Sequence, residues 1–551
     1  MNLAALLRDP GEDWPYKPGE LPTVFGAPAN ATHPLPRRAA YAFTAVLVGI
    51  TGALGNSLVF VNQPQLQGAL GLYAYEMAWL PTAYVMAIVP MNLLLVKFRA
   101  QFGLRLFIVG TVLTYTAIIL AHLFVGSFAS SIAVRAASGM VGSAFTTQAI
   151  FYMAQALPLK WRLQAIVIGL GLPQLSVPLA RCIFSTDLLA LGEWRSLYLC
   201  ELGLALLSLG AVLLFILPAA PRHKAYERLD LLTFALFAMG AAATAAVVGL
   251  GRYLWWHDTP WLGRTLVAAV PLLIAAILIE RHRANPLLVF NLLVSGPFLR
   301  FIVLSLLLQI GITEQTIGAV GLMNAAGLNN DQLHPLFWSV TLAMIVGLAA
   351  SALVLKPTRF ALLVALGFLM IAVAAALDAQ ATNLTRPLQL LLTQSLVGFA
   401  TTFTMGPLFL YGLRLALPQG PAAFISFLAV FSIIANLGSL GANSVIGSYE
   451  TIREKAYSHS LVEHVVPTDP VVASRLQDSS RVYAPLTIDP SLGPAEGNAL
   501  LGEDVSREST VLAFNDVFYL ICLVTALTGA WLLALIVWRH YHLVRDGKVP
   551  S

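Results

Sequence analysis

The sequence predicts an all-α integral membrane protein of about fourteen transmembrane helices. Three observations carry this expectation. The chain of 551 residues is 58% hydrophobic and only 11% charged, against about 25% charged in a soluble protein. Its apolar residues fall in many runs long enough to cross a hydrocarbon core, which takes about 20 residues each. Lys and Arg alternate between successive connections, as expected where short loops set orientation. An aqueous enzyme, a nucleic-acid binder and a disordered chain are all excluded as readings of the whole chain.

The elements follow in order. Residues 1–38 form a polar, Pro-rich tail without the apolar core of a cleavable signal peptide. Apolar runs then place spans at roughly 39–61, 77–96, 104–125, 130–157, 163–184, 196–217, 230–251, 262–280, 298–319, 336–355, 360–378, 387–413, 421–447 and 515–538. They group into six spans over 39–217, two linking spans over 230–280 and six spans over 298–538. Residues 539–551 form a second tail.

The connection over 448–514 is long, polar and Pro-containing, as in VVPTDPVVASRLQ. It is expected outside the cell membrane, with one or two short helices and irregular structure. With the N-terminus inside, the inside segments hold 21 Lys and Arg. The short outside loops hold only Arg195, Arg252, Arg264 and Arg386. This bias predicts that both termini are cytoplasmic in a multi-pass membrane protein. The formal charge of +5 is therefore an orientation signal and not a nucleic-acid footprint.

Cys182, Cys200 and Cys522 lie in apolar runs with neither disulfide nor metal spacing. His459 and His464 have no Cys or acidic ligand set beside them. No cofactor is implied. Ionisable groups inside spans are costly and so are functional candidates: Arg135, Arg181, Glu201 and Glu314. Arg135 could instead anchor a neighbouring helix, and Arg181 could snorkel outward toward Asp187. Glu201 could pair with Arg195 or Arg181. Glu314 lies 14 residues beyond Arg300, roughly 21 Å along the helix. It sits among Thr313, Gln315 and Thr316, so this cluster is expected to face a cavity or a partner helix. The mid-span amides Gln148, Gln174, Gln309 and Gln394 are cavity candidates or interhelical glue.

Several segments resemble the 14-spanner drug:proton antiporter family of the major facilitator superfamily, the EmrB/QacA type. LLLVKFRAQFGLRLFIVG resembles the loop after its second span, with Phe102 and Gly103 in a tight turn. The resemblance implies a gating role there for Lys97, Arg99, Gly103 and Arg105. SIAVRAASGMVGSAF is similar to the span-4 pattern through Arg135 and Gly139, and GEWRSLYLCELGLAL to the start of span 6. The outer loop and LAFNDVFYL resemble those of EmrB-type subunits. The resemblance implies two six-helix bundles plus two extra spans beside them in a bacterial inner membrane. It also implies protons as coupling ion, a periplasmic adaptor and an outer-membrane channel.

Departures from the family are as informative. Gly55 stands where span 1 usually carries an acid, and Ser57 replaces the threonine. Arg181 and Cys182 follow Pro178 where paired glycines are usual, Ser138 replaces a glutamine, and Glu201 replaces an asparagine. Three functions are compatible with this pattern. One is a proton-driven exporter of drugs or other amphipathic small molecules. Another is an exporter of organic anions such as aryl or siderophore-like acids. The third is a non-transporting scaffold or sensor. No Ser/His/Asp set or metal cluster favours an enzyme.

Overall fold

The computed structural model describes residues 20, 26–183, 194–222, 224–283, 286–466, 468–483 and 492–545. Expectations about most of the N-terminal tail, Asp187 and residues 546–551 lie outside the described residues. Thirteen helices among them are long and apolar enough to cross a membrane. A fourteenth, Phe128–Ala156, has the length of a span. Its Ser, Thr, Gln and Arg residues dilute its hydropathy, and it is packed among neighbouring helices rather than facing outward.

In chain order the fourteen are α1 Leu35–Val61, α2 Ala74–Phe102, α3 Leu104–His122, α4 Phe128–Ala156, α5 Leu159–Ile183, α6 Arg195–Leu214 and α7 Arg228–Leu254. There follow α8 Pro260–Arg281, α9 Gly296–Ala325, α10 Asn330–Val354, α11 Phe360–Asp378, α12 Leu391–Gln419, α13 Pro421–His464 and α14 Gly493–Arg545. No strand occurs among the described residues.

Local chemistry explains where these helices begin and end. Pro36 lies in the first turn of α1, where a missing N–H costs nothing. The Ser127 hydroxyl caps α4 by accepting from the Ser130 N–H at 3.2 Å, and Asn329 caps α10 by accepting from the Asp331 N–H at 3.0 Å. Gly103 separates α2 from α3 with φ of 93°, a value that strains any residue with a Cβ. Two stretches wind as π-helix, Glu314–Ala319 within α9 and Ile434–Gly438 within α13. Such bulges are rare and concentrate at functional sites.

Helices α1–α6 pack into one bundle and α9–α14 into another. They meet along two seams. α5 lies against α10 and α12, and α2 lies against α13. Small residues bring the backbones close. A Cβ on Gly171 would come within 2.4 Å of Leu348, and one on Gly406 within 2.4 Å of Val167. The extra pair is not simply placed beside the bundles. α7 lies against both α2 and α13, and only α8 is largely exposed.

Among its described residues the connection over 448–514 is mostly helical, more so than the one or two short helices with irregular structure that were expected. α13 continues to His464, α14 begins at Gly493, and a helix over Pro470–Tyr483 packs on α14. Arg453 of α13 pairs with Asp516 of α14, and the Tyr457 hydroxyl donates to the same carboxylate at 2.9 Å. The polar sequence marked where apolar span ends. Hydropathy carries no information on where a helix stops, and Ala, Leu, Glu and Arg are all good helix formers.

The close approach of α2 and α4 supplies a stability test. A Cβ on Gly139 would lie 2.3 Å from the Tyr84 carbonyl oxygen, a backbone atom that cannot rotate away. Gly139→Val is expected to lower the Tm of the detergent-solubilised protein by at least the roughly 1–3 kcal/mol typical of overpacking. Gly203→Val, with nothing near its Cβ, should leave Tm almost unchanged; equal effects would contradict this packing.

Candidate functional site

Between the bundles lies a cavity of about 590 Å³. Its walls come from α1, α2, α5, α7, α9, α10 and α13, near the helix ends at Val61, Arg252 and Asn330. These ends lie on the face opposite the one shared by Gly103 and the end of α14. Asparagines dominate its polar lining: Asn56, Asn324, Asn329, Asn330, Asn436 and Asn443, with Gln63 and Gln65. Its charged lining residues are Arg181 and Arg252, and no carboxylate lines it among the described residues.

Arg181 does not snorkel. It is buried, its Nη1 donates to Asn330 Oδ1 at 2.7 Å, and its guanidinium stacks over Phe337. Asn330 Nδ2 in turn donates to Val61 O and Asn62 Oδ1, both at 3.1 Å. A polar strap thus ties α5 and α1 to α10 across the seam. Cys182 lies beside it, with its Sγ 3.9 Å from the His334 carbonyl. Residues that replace the usual glycines of span 5 therefore make interbundle contacts.

Glu201 lies against Gly55. A Cβ on Gly55 would lie 1.9 Å from Glu201 Oε1. The carboxyl of α6 thus occupies the space that a side chain at residue 55 would need. Glu201 pairs with neither Arg195 nor Arg181. It accepts a hydrogen bond from the Tyr115 hydroxyl of α3. Arg135 completes the cluster from α4: Nη2 donates to Asn56 Oδ1 at 2.6 Å, Nη1 lies 3.4 Å from Gly55 O, and the guanidinium faces the Tyr84 ring. Asn56, held by this arginine, lines the cavity.

The second bundle holds its own acidic cluster. Glu314 is fully buried at the start of the π segment of α9. Gln394 Nε2 lies 2.9 and 3.1 Å from its two carboxylate oxygens and 2.8 Å from Asp378 Oδ2. One amide therefore joins two acids from α9 and α11. Gln315 Nε2 reaches Gln394 Oε1 at 3.4 Å. Two residues after Glu314, Thr316 lines the cavity and donates to Asn443 Oδ1 at 3.0 Å. The bulge places the acids behind the wall and a hydroxyl in it. Asp378 escaped sequence reasoning because it ends an apolar run and read as a span boundary.

None of the four glutamines lines this cavity. Gln394 serves the acidic cluster. Gln148 donates to Thr111 Oγ1 at 2.6 Å within the first bundle. Gln309 packs against Gly438 in the π segment of α13. Gln174 lies in the 3-10 turn that interrupts α5. Asn56, Asn324, Asn329 and Asn330 escaped notice because they sit near span ends, where polar residues are common, whereas Asn436 and Asn443 lie within α13 and were passed over.

The basic residues around Gly103 share a face of the molecule. Lys97 Nζ bonds Asp230 of α7 at 2.9 and 3.0 Å. Asp230 also meets Arg283, which bonds Glu227 and Glu280, each at 2.7 Å. Arg99 lies over Phe151 and beside Gly26 of the tail, and Arg105 Nη1 donates to Val212 O at 2.9 Å. His459 lies 3.4 Å from Glu463 and His464 2.8 Å from the Ser460 carbonyl. No metal-holding group occurs among the described residues.

Exchange of the acid between helices is testable. Gly55→Asp alone should displace Glu201 and lower the Tm of the detergent-solubilised protein by the roughly 1–3 kcal/mol typical of overpacking. Adding Glu201→Asn should recover most of that loss. A double variant no better than Gly55→Asp would argue against an exchangeable site.

No family model and no curated protein matches the sequence. Solved structures do. The human organic anion transporter MFSD10 is 14% identical over 90% of this chain and 100% of that one, with a TM-score of 0.50. Tetrameric PepTSo2 is 12% identical over 92% and 99%, with a TM-score of 0.53. A bacterial homologue of the human drug peptide transporters PepT1 and PepT2 is 12% identical over 92% and 99%, with a TM-score of 0.50. At such identities the likeness speaks for the architecture, and this chain has the major facilitator fold.

Proposed function

We propose that this protein is a proton-coupled secondary exporter of small organic anions, working by alternating access of its two bundles about the central cavity. The observation that carries the cargo assignment is the charge of the cavity. Arg181 and Arg252 project from a lining of amides, and the described lining has no carboxylate. A cationic drug would meet two guanidiniums there, of which Arg252 is paired with Glu450, whereas a carboxylate finds donors. The amides suit carbonyl and hydroxyl groups on the same cargo.

Coupling is assigned to Glu314 and Asp378, joined by Gln394, with Glu201 as an acid in the other bundle. One proton shared between Glu314 and Asp378 removes their mutual repulsion, and the π segment passes the change to Thr316 in the cavity wall. The bulge is a natural place for such a rearrangement, because its backbone bonding can shift by one residue. The position of Glu201 against Gly55 supports the transporter reading over the scaffold reading.

Two experiments bear on this assignment. In proteoliposomes an imposed pH gradient should drive benzoate flux in the parent protein. Glu314→Gln and Asp378→Asn should each reduce it at least tenfold while benzoate still raises Tm. Full gradient-driven flux in both variants would remove the pair from the mechanism. Flux of tetraphenylphosphonium in place of benzoate would instead favour cationic drugs as cargo.

The termini are assigned to the cytoplasm of a bacterial inner membrane. The exposed helix Pro470–Tyr483 is assigned to the outer side, where a periplasmic adaptor leading to an outer-membrane channel would dock. Ser474→Cys should react with an impermeant maleimide on spheroplasts, and a bound adaptor should protect it. Reaction only after lysis would reverse the orientation, and no protection would remove the adaptor.

A further inference from the structure

α7 belongs to neither bundle yet touches both. Against α2 it is seated at both ends. Asp230 is held by Lys97, and a Cβ on Gly249 would come within 2.2 Å of Thr82 Oγ1. Against α13 its polar contacts gather at one end. Arg252 Nη2 donates to Glu450 Oε2 at 3.1 Å, and Trp256 Nε1 donates to Ser448 Oγ at 2.9 Å. Gly447 lies under the guanidinium, where a Cβ would approach Nη1 to 2.3 Å. When the bundles move relative to each other, the contact with α13 is the one able to part.

Arg252 also lines the cavity. It spends only Nη2 on Glu450, and its Nη1 and Nε donate to no other described residue. Glu450 is buried, with Thr451 Oγ1 at 3.3 Å as its other hydrogen-bond donor. A buried carboxylate that loses its cation is costly, so this pair holds α13 against α7 while the cavity is empty.

We infer that Arg252 is a cargo-responsive latch. A carboxylate entering the cavity offers the guanidinium a competing partner in the bidentate geometry that it favours. Arg252 turns to the cargo, Glu450 is released, and α13 separates from α7. Departure of the cargo frees the guanidinium, which returns to Glu450 and restores the contact. A neutral molecule of the same shape cannot displace Glu450, so the latch selects by charge and the extra helix reports the occupant. This inference rests on the organic-anion reading and gives α7 a part in it.

The contact can be read by cross-linking. An ideal Cβ on Gly441 lies 3.5 Å from Val248 Cγ1. Val248→Cys with Gly441→Cys would thus place two thiols across the α7–α13 contact. The full chain, with Cys182, Cys200 and Cys522 changed to Ser, is reconstituted into liposomes and oxidised. Benzoate should slow disulfide formation by roughly fivefold or more, and benzamide should not. In Glu450→Gln the reaction should be slow with or without benzoate. In Arg252→Gln and in Arg252→Lys, which keeps the charge but not the fork, the benzoate response should be lost or strongly reduced. Tm verifies that each variant is folded. Benzoate that raises Tm but leaves the cross-linking rate of the parent unchanged would overturn the latch and leave the anion reading standing. No Tm shift with any of a series of aryl and aliphatic carboxylates would overturn both.

Discussion

Lipid offers no hydrogen bonds, so every polar side chain within the hydrocarbon must find its partner inside the protein. The arrangement of this molecule follows from that constraint. Each intramembrane charge identified in the sequence is met by a group from another helix. Arg135 meets Asn56, Arg181 meets Asn330, Glu201 meets Tyr115, and Glu314 meets Gln394. These pairs fall into two kinds. Those of Arg135, Glu201 and Glu314 stay within a bundle and hold it rigid. The Arg181–Asn330 pair crosses between bundles and ties them together.

The same division separates the two faces of the molecule. On the face with Gly103, α7 and α8 are bound to α2 by Lys97, Asp230, Arg283, Glu227 and Glu280. A buried network of this size is costly to break one member at a time. On the opposite face, α7 and the turn that follows it meet α13 through Arg252–Glu450, Trp256–Ser448 and Lys455 over the Trp255 ring. One end of the extra helix is an anchor, and the other is a contact that can open. Small residues supply the remaining fit: Gly139, Gly171, Gly249 and Gly406 let backbones and side chains approach where any larger residue would hold the helices apart.

Much of the fold was legible in the chain because a membrane span is written locally. Length, apolar run and flanking charge are all properties of neighbouring residues. The positions of α1–α14 followed from them, including α4, whose hydropathy is too low for a simple threshold. The candidate site was legible only in part. Glu314 and Arg181 stood out because charge inside an apolar run is rare. Asp378 did not, since it sits at the end of such a run, and neither did the lining asparagines. Glutamines at mid-span drew attention for their depth, yet Gln148 turned out to bond Thr111 inside one bundle, and Gln394 to join two acids.

The sequence by itself determined the solvent in which this protein folds, the number and order of its helices, and the small set of charges that lipid would penalise. These follow from transfer energies, which are additive along a chain. Tertiary structure alone decided which charges meet. Gly55 and Glu201 are 146 residues apart in number, and no local pattern says that the carboxyl of one helix fills the space left by the other. The same holds for α7: an apolar run of ordinary length became a wall of the cavity because Gly249 and Gly447 let it fit between α2 and α13. It is packing in three dimensions, where contacts between distant residues are chosen by shape, that turned two unremarkable glycines and one arginine into a site.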